Sequence, residues 1–246
     1  MSAAHLPATG VPRAVGLRIA GLTRLSTVDR PGMLVATVFL QGCPWDCVYC
    51  HNPDLIDPRT PGALTWPDVL TFLGTRTGLL DGVVFSGGEP TMQRGLGAAI
   101  DDVRRLGFSV GLHTGGPYPA LLARILPKVD WIGIDVKARF AEYGQVTGRP
   151  SSGRAAERSL ELVIANHLVR RDTPRPLGYE VRTTAHPDLT DDTGLAALGH
   201  DLAERGVETW ALQRYRPTGA RSGTPVRSAL QFDELPRERF TEVIVR

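Results

Sequence analysis

Short apolar runs alternate with longer amphipathic stretches along most of the chain, and each apolar run stops at polar or glycine residues. Residues 34–40 (LVATVFL) lead straight into a group of cysteines, 82–85 (GVVF) end at Ser86-Gly87-Gly88, and 108–112 (FSVGL) end at His113-Thr114-Gly115-Gly116. Residues 131–136 (WIGIDV) end at Lys137, and 179–184 (YEVRTT) and 208–213 (ETWALQ) complete the set. Runs this short and apolar suit the strands of a parallel sheet buried on both faces.

Between these runs the apolar spacing becomes helical. A helix over 66–73 is expected after Thr65, with Pro67 in its first turn. Over 92–106, Leu96, Ile100, Val103 and Leu106 form one stripe that closes at Gly107. Residues 155–168 and 191–204 are two further candidates, the second closed by Gly206. By composition, 143–153 and 171–176 read as loops.

A β-α unit thus recurs about six times, which argues for an α/β fold with parallel strands. Six units are too few for the usual closed barrel of about eight. A partial, open barrel or a doubly wound sheet is left. Both place their chemistry just after the strands, where the glycines and polar residues gather here. The expected organisation is a loose N-terminal tail over 1–16, a core domain over 17–216 and a C-terminal extension over 217–246. The apolar ending of that extension (FTEVIV) is expected to return as a covering segment.

Composition changes this picture little. A chain of 246 residues can bury a full hydrophobic core. The net charge of +2, with no long run of one sign, gives no reason to expect nucleic acid or an anionic membrane as partner. No run is long enough to span a bilayer, and residues 1–12 lack the basic-then-apolar order of a secretory signal. A soluble, cytoplasmic protein is expected.

The three cysteines change the picture more. Cys43, Cys47 and Cys50 fall within eight residues, unlike the even, dispersed cysteines of a secreted disulfide framework. Cys-x3-Cys-x2-Cys on one loop can hold three corners of a cubane, whereas an ordinary electron-transfer [4Fe–4S] cluster takes four cysteines. With no fourth, one iron would be open to a substrate, as the open position of a catalytic metal is. The alternative is a structural zinc site in which His51 is the fourth ligand of a binding module.

With these cysteines and Gly87-Gly88-Glu89-Pro90 together, the chain resembles the radical S-adenosylmethionine superfamily, whose signature is Cys-x3-Cys-x-aromatic-Cys. Tyr49 supplies the aromatic, which in that family lies beside the adenine. Further segments resemble the activating proteins of anaerobic ribonucleoside-triphosphate reductases, in the glycyl-radical-activating branch. They are 25–32 (LSTVDRPG), Cys50-His51-Asn52-Pro53, 79–85, Ile134-Asp135-Val136-Lys137, Tyr143 with Val146-Thr147-Gly148, Arg182-Thr183-Thr184, and 213–217.

The resemblance implies a partial (β/α)6 TIM-like barrel, open on one side, with a [4Fe–4S] cluster and S-adenosyl-L-methionine as cofactors. Cys43, Cys47 and Cys50 would bind iron, and the methionine amino and carboxylate groups would chelate the fourth iron. Gly87, Gly88 and Glu89 would shape the amino-group pocket. The glycines' lack of a Cβ lets the backbone approach that ligand, so a side chain at Gly88 is expected to hinder the ligand and spare the iron. Thr114, Asp135, Lys137 and Arg182 would lie around the carboxylate, the ribose or the reacting glycine, with Asp135 and Lys137 as the catalytic candidates. Gln213 would contact the adenosyl part.

The implied partners are an anaerobic ribonucleoside-triphosphate reductase, on which a glycyl radical is made, and a flavodoxin- or ferredoxin-type electron donor. A small-molecule enzyme of deazaguanine-synthase type is the alternative within the superfamily. One departure stands out: the family usually reads Asp-Thr-Asn-Gly where this chain has His113-Thr114-Gly115-Gly116. His113 is either a substitute polar partner or a satisfied structural histidine. Asp135 and Lys137 share a strand face and can pair with each other, and Arg182 can belong to a rim ion pair. Trp45 is expected as a cap over the cluster or part of a partner surface, and Trp131 and Trp210 as core.

Overall fold

The computed structural model describes residues 16–221 and 230–246. The tail expected over 1–16 lies outside the described residues apart from Gly16. Among the described residues eight strands, β1 (Ile19–Ser26), β2 (Val35–Leu40), β3 (Gly82–Gly87), β4 (Ser109–Thr114), β5 (Trp131–Asp135), β6 (Gly178–Ala185), β7 (Thr209–Arg214) and β8 (Glu242–Val245), form one sheet in chain order. From β2 to β8 every neighbour is parallel, and β1 lies antiparallel on β2. A doubly wound sheet reverses its strand order at a switch point. This sheet never does, and its edges β1 and β8 stay apart, so the fold is a partial TIM-like barrel open on one side.

Among the described residues six α-helices connect or flank the strands: α1 (Trp66–Gly74), α2 (Leu96–Arg105), α3 (Pro119–Ile125), α4 (Tyr143–Thr147), α5 (Ser152–Arg170) and α6 (Asp192–Glu204). Their starts are set locally. Thr65 and Asp68 cap each other's backbone N–H at α1, and the Asp191 carboxylate accepts the Gly194 N–H at 2.7 Å to open α6. The Trp66 indole N–H donates to the buried Asp102 carboxylate at 2.8 Å, tying α1 to α2. Among the described residues no helix is long and apolar enough to cross a membrane.

The two faces of the sheet differ in kind. Val38, Phe85, Leu112, Ile134, Val181 and Leu212 share one buried core with helix residues such as Leu73, Ile100, Leu122, Leu160 and Leu198. Strand alternation puts Thr37, Ser86, His113, Asp135, Arg182 and Gln213 on the opposite, inner face. The inner face thus mixes these polar side chains with apolar ones such as Val84 and Trp131, and it carries the groups available for chemistry at the barrel's mouth.

Four elements depart from the sequence expectation. β1 was not expected because two register shifts against β2, at Ile19/Gly21 and Thr23/Ser26, break its period of two. α3 has only seven residues, opened by Pro119. The stretch 143–153 is no loop: Tyr143 is fully buried, with its hydroxyl donating to the Asp135 carbonyl (3.1 Å) and accepting the Lys137 N–H (3.0 Å). That anchor starts α4, and Gly148 in the left-handed region ends it. The apolar C-terminal ending joins the sheet as β8 and does not lie over it as a cover.

Candidate active site

Apart from Arg182, which lies within β6, the candidate residues from the sequence lie at or beyond the C-terminal ends of parallel strands, where strand ends leave polar groups free for chemistry. The cysteine loop follows β2 and is pinned on two sides by its own backbone. Gly42 and Cys43 donate to the carbonyls of Leu55 (2.8 Å) and Ile56 (3.0 Å), and Asp46 and Val48 donate to those of Thr147 and Val146 at the end of α4 (both 3.0 Å). The Gln41 side chain donates to the Asp54 and Asp57 carbonyls, each at 2.9 Å. The three cysteines are free thiols, Cys47 buried and the other two half-buried. Burial pushes the Cys43 thiol up to about 12 and raises Cys47 as well, so iron has to displace protons to bind there.

The Gly-Gly-Glu turn is built against that loop. Gly88 N–H donates to the Leu40 carbonyl and Glu89 N–H to the Gly42 carbonyl, both at 2.8 Å. A Cβ on Gly88 would come within 2.4 Å of the Gly42 oxygen and 2.8 Å of the Leu55 oxygen. Its missing side chain is therefore demanded by the cysteine loop itself, which the sequence reasoning did not foresee. Gly88→Val is expected to lower iron content at least as much as S-adenosylmethionine affinity. Iron counting beside a binding isotherm checks this, and a variant with full iron and weak ligand binding would count against it.

The Glu89 side chain is a clamp. It is almost wholly buried, and its oxygens accept from the Thr91 N–H (3.0 Å), the Thr91 hydroxyl, the Thr114 hydroxyl (2.7 Å) and the Gly115 N–H (3.0 Å). Burial pushes its carboxyl pKa up, and these donors oppose the rise. Glu89 and Thr114 thus join the ends of β3 and β4.

On β5 and β6 the charges gather. Asp135 accepts from Lys137 Nζ through Oδ2 (3.1 Å) and from Arg182 Nε through Oδ1 (3.1 Å). The Lys137 and Arg182 side chains are only 13% and 10% exposed, so this is an interior triad and not a rim pair. Burial alone would raise the Asp135 carboxyl, but the Lys137 ammonium and the Arg182 guanidinium overcome it and hold it at about 2. Burial would likewise lower Lys137, and Asp135 more than reverses that. The Arg182 head group lies over Gly133, where a Cβ would approach its central carbon to 2.8 Å.

Tyr49 faces this triad. Its ring centroid is 6.0 Å from Lys137 Nζ, and its hydroxyl is buried without a hydrogen-bond partner among the described residues. A buried orphan hydroxyl beside three free thiols fits a site that is completed by a bound group. His186 stacks on Tyr49 at 6.1 Å and 20°, and its Nδ1 accepts the Asp188 N–H at 3.2 Å. The sequence reasoning missed it; the available signal was a histidine directly after β6. Gln213 stands apart, half-buried at the end of β7 opposite Thr184.

His113 proves a satisfied structural residue. Its two ring nitrogens bond the Ser86 hydroxyl (3.1 Å) and the Asp29 carbonyl (2.6 Å), and burial, helped by Arg182, depresses its pKa strongly. It thereby ties the end of β4 to the 25–32 segment through the Asp29 carbonyl. Trp45 is 5% exposed and wedged against Gly115, where a Cβ would meet its ring at 2.5 Å, so the partner-surface expectation is corrected.

With this geometry in view, comparison with known proteins decides the family. The radical SAM superfamily model matches residues 37–193, well over half of the chain. The chain belongs to the radical SAM superfamily. Its relatives place it among the glycyl-radical-enzyme activating enzymes. A pyruvate formate-lyase 1-activating enzyme of Escherichia coli is 30% identical over 215 residues, 82% of each chain. A protein of Methanocaldococcus jannaschii, provisionally assigned as a glycyl-radical enzyme activating enzyme, is 27% identical over 92% of this chain and 88% of its own. In fold, Streptococcus suis SuiB bound to S-adenosylmethionine aligns with a TM-score of 0.53 at 13% identity, covering 72% of this chain and 39% of that one. This chain spans about two fifths of that structure's length, and the likeness is one of fold alone. As a member of this family the protein is a radical SAM enzyme that uses a [4Fe–4S] cluster and S-adenosylmethionine, and the zinc-module alternative falls away.

Proposed function

We propose that the protein installs a glycyl radical on an anaerobic ribonucleoside-triphosphate reductase, taking its electron from a flavodoxin- or ferredoxin-type donor. The observation that carries the protein-substrate reading is the open side of the barrel. β1 and β8 do not pair, so an extended loop can enter and be gripped along its main chain near the strand ends. A closed barrel would suit only a small molecule. Support for the reductase as target comes from the Cys50-His51-Asn52-Pro53 end of the cysteine loop and the Asp135-x-Lys137 strand end.

In this reading Cys43, Cys47 and Cys50 would hold the cluster, which when bound would supply the one electron for reductive cleavage of S-adenosylmethionine and so the means to take a hydrogen atom from the target glycine. The protein's residues supply orientation and exclusion of water. Lys137 and Arg182, held in place by Asp135, offer two cations to the methionine carboxylate. Glu89 and Thr114 fix the turn whose backbone meets the amino group, Tyr49 lies along the adenine, and Gln213 contacts the adenosyl part from β7.

Mixing the reduced protein, S-adenosylmethionine and the reductase without oxygen is expected to give a glycine-centred doublet on the reductase by spin resonance. One deoxyadenosine should form per radical, and changing the target glycine to alanine should remove the signal. Radical formation on a pyruvate formate-lyase but not on the reductase would reassign the target. Deoxyadenosine release driven by a small metabolite alone would remove the activating role.

A further inference from the structure

An open cleft of about 460 Å³ lies beside the cysteine loop, with Cys43 in its wall. Three arginines, Arg59, Arg149 and Arg221, and two aspartates, Asp46 and Asp57, line it. Asp57 pairs with Arg59 at 2.9 Å and Asp46 pairs with Arg221. Arg149 donates to the Pro44 carbonyl at 3.1 Å, so its charge meets a neutral acceptor there. None of Thr114, Asp135, Lys137 and Arg182 lines the cleft, so an occupant would leave the inner, substrate-facing side of the barrel free.

The electron has to arrive from outside. All three cysteines of the chain sit in this one loop, which leaves none for a second, all-cysteine cluster to act as a relay. A donor must therefore bring its own redox centre close to the loop, by a face that does not compete with the target glycine. We propose that this arginine-lined cleft is the docking surface for an acidic one-electron carrier protein. The inference rests on the proposed need for a protein electron donor and adds where that donor binds. Its acidic rim would meet the arginines, whose net excess of positive charge steers the encounter and orients the redox centre toward Cys43.

The test compares two reductants on the same holoenzyme. Reduced flavodoxin serves as the acidic carrier, and dithionite as a small reductant that needs no docking. Arg59 is 88% exposed and Arg221 44%, so an R59E/R221E double variant can be made without burying a new charge. Flavodoxin-driven cleavage of S-adenosylmethionine is expected to fall about tenfold at low ionic strength. The gap should narrow as salt screens the surface charges, and dithionite-driven cleavage, iron content and cluster absorbance should stay at wild-type values. Equal loss with both reductants would overturn the proposal, showing that the arginines serve the loop's integrity. No loss with either would overturn it too, by placing the carrier elsewhere. The glycyl-radical reading is read separately, from the doublet formed on the partner with dithionite alone, so the two can fail independently.

Discussion

Replacing Cys43, Cys47 or Cys50 singly with alanine is expected to abolish S-adenosylmethionine cleavage, a loss of more than about a thousandfold, or about 4 kcal/mol of transition-state stabilisation. The chain has no fourth cysteine to substitute for any of them. The rest of the loop is held by backbone hydrogen bonds to Leu55, Ile56, Val146 and Thr147, so the fold should survive the change. Circular dichroism should match wild type while iron counting falls well below four per chain. Of the three, Cys47→Ala should show the largest additional loss of stability, because Cys47 alone is buried in the core cluster. A single variant that kept near-normal deoxyadenosine yield with a full cluster would refute the ligand assignment.

The second large effect is expected at Asp135. Asp135→Asn leaves the Lys137 ammonium and the Arg182 guanidinium without their shared carboxylate, both being at most 13% exposed. Breaking one partner out of such a buried set costs about 3–5 kcal/mol. Asp135 itself is 32% exposed, which favours the lower end, so the expected shift is about 3 kcal/mol in urea unfolding near neutral pH. The double change Asp135→Asn with Arg182→Met should recover part of the loss, because it removes one of the stranded cations. The pH dependence has a fixed sign. A carboxyl held at about 2 in the folded protein stabilises it fully above the unfolded value. That stability disappears as pH falls through the folded value, so the difference between wild type and Asp135→Asn should shrink between about pH 4 and pH 2. An unfolding midpoint unchanged at neutral pH would show that Asp135 does not stabilise the two buried cations.

The cysteine spacing, the Gly-Gly-Glu-Pro turn and the six apolar strands were legible because each depends on neighbours in the chain. Periodicity and spacing are local properties, and all six expected strands appear with ends shifted by at most a residue or two. The four helices legible from their stripes and caps also formed, with α2 shortened to Leu96–Arg105 by a 3-10 turn over Pro90–Met92. By itself, then, the sequence determined the α/β class, the six parallel strands from β2 to β7 and the identity of the loop that carries the thiols.

Only the tertiary structure decided how those parts meet, since contacts between residues far apart in the chain leave no local period. The chain-order sheet with separated edges, and not a switch-point sheet, is a property of how strands close on one another. Tyr143 nucleates α4 only because Asp135 and Lys137 stand ready to receive its hydroxyl. Arg182 joins Asp135 across 47 residues of sequence, and His113 reaches the Asp29 carbonyl across 84. The same holds for Gly88. The sequence allows its glycine many reasons, and the one that applies is the Gly42 carbonyl of a loop 46 residues earlier, packed where a side chain would have to go.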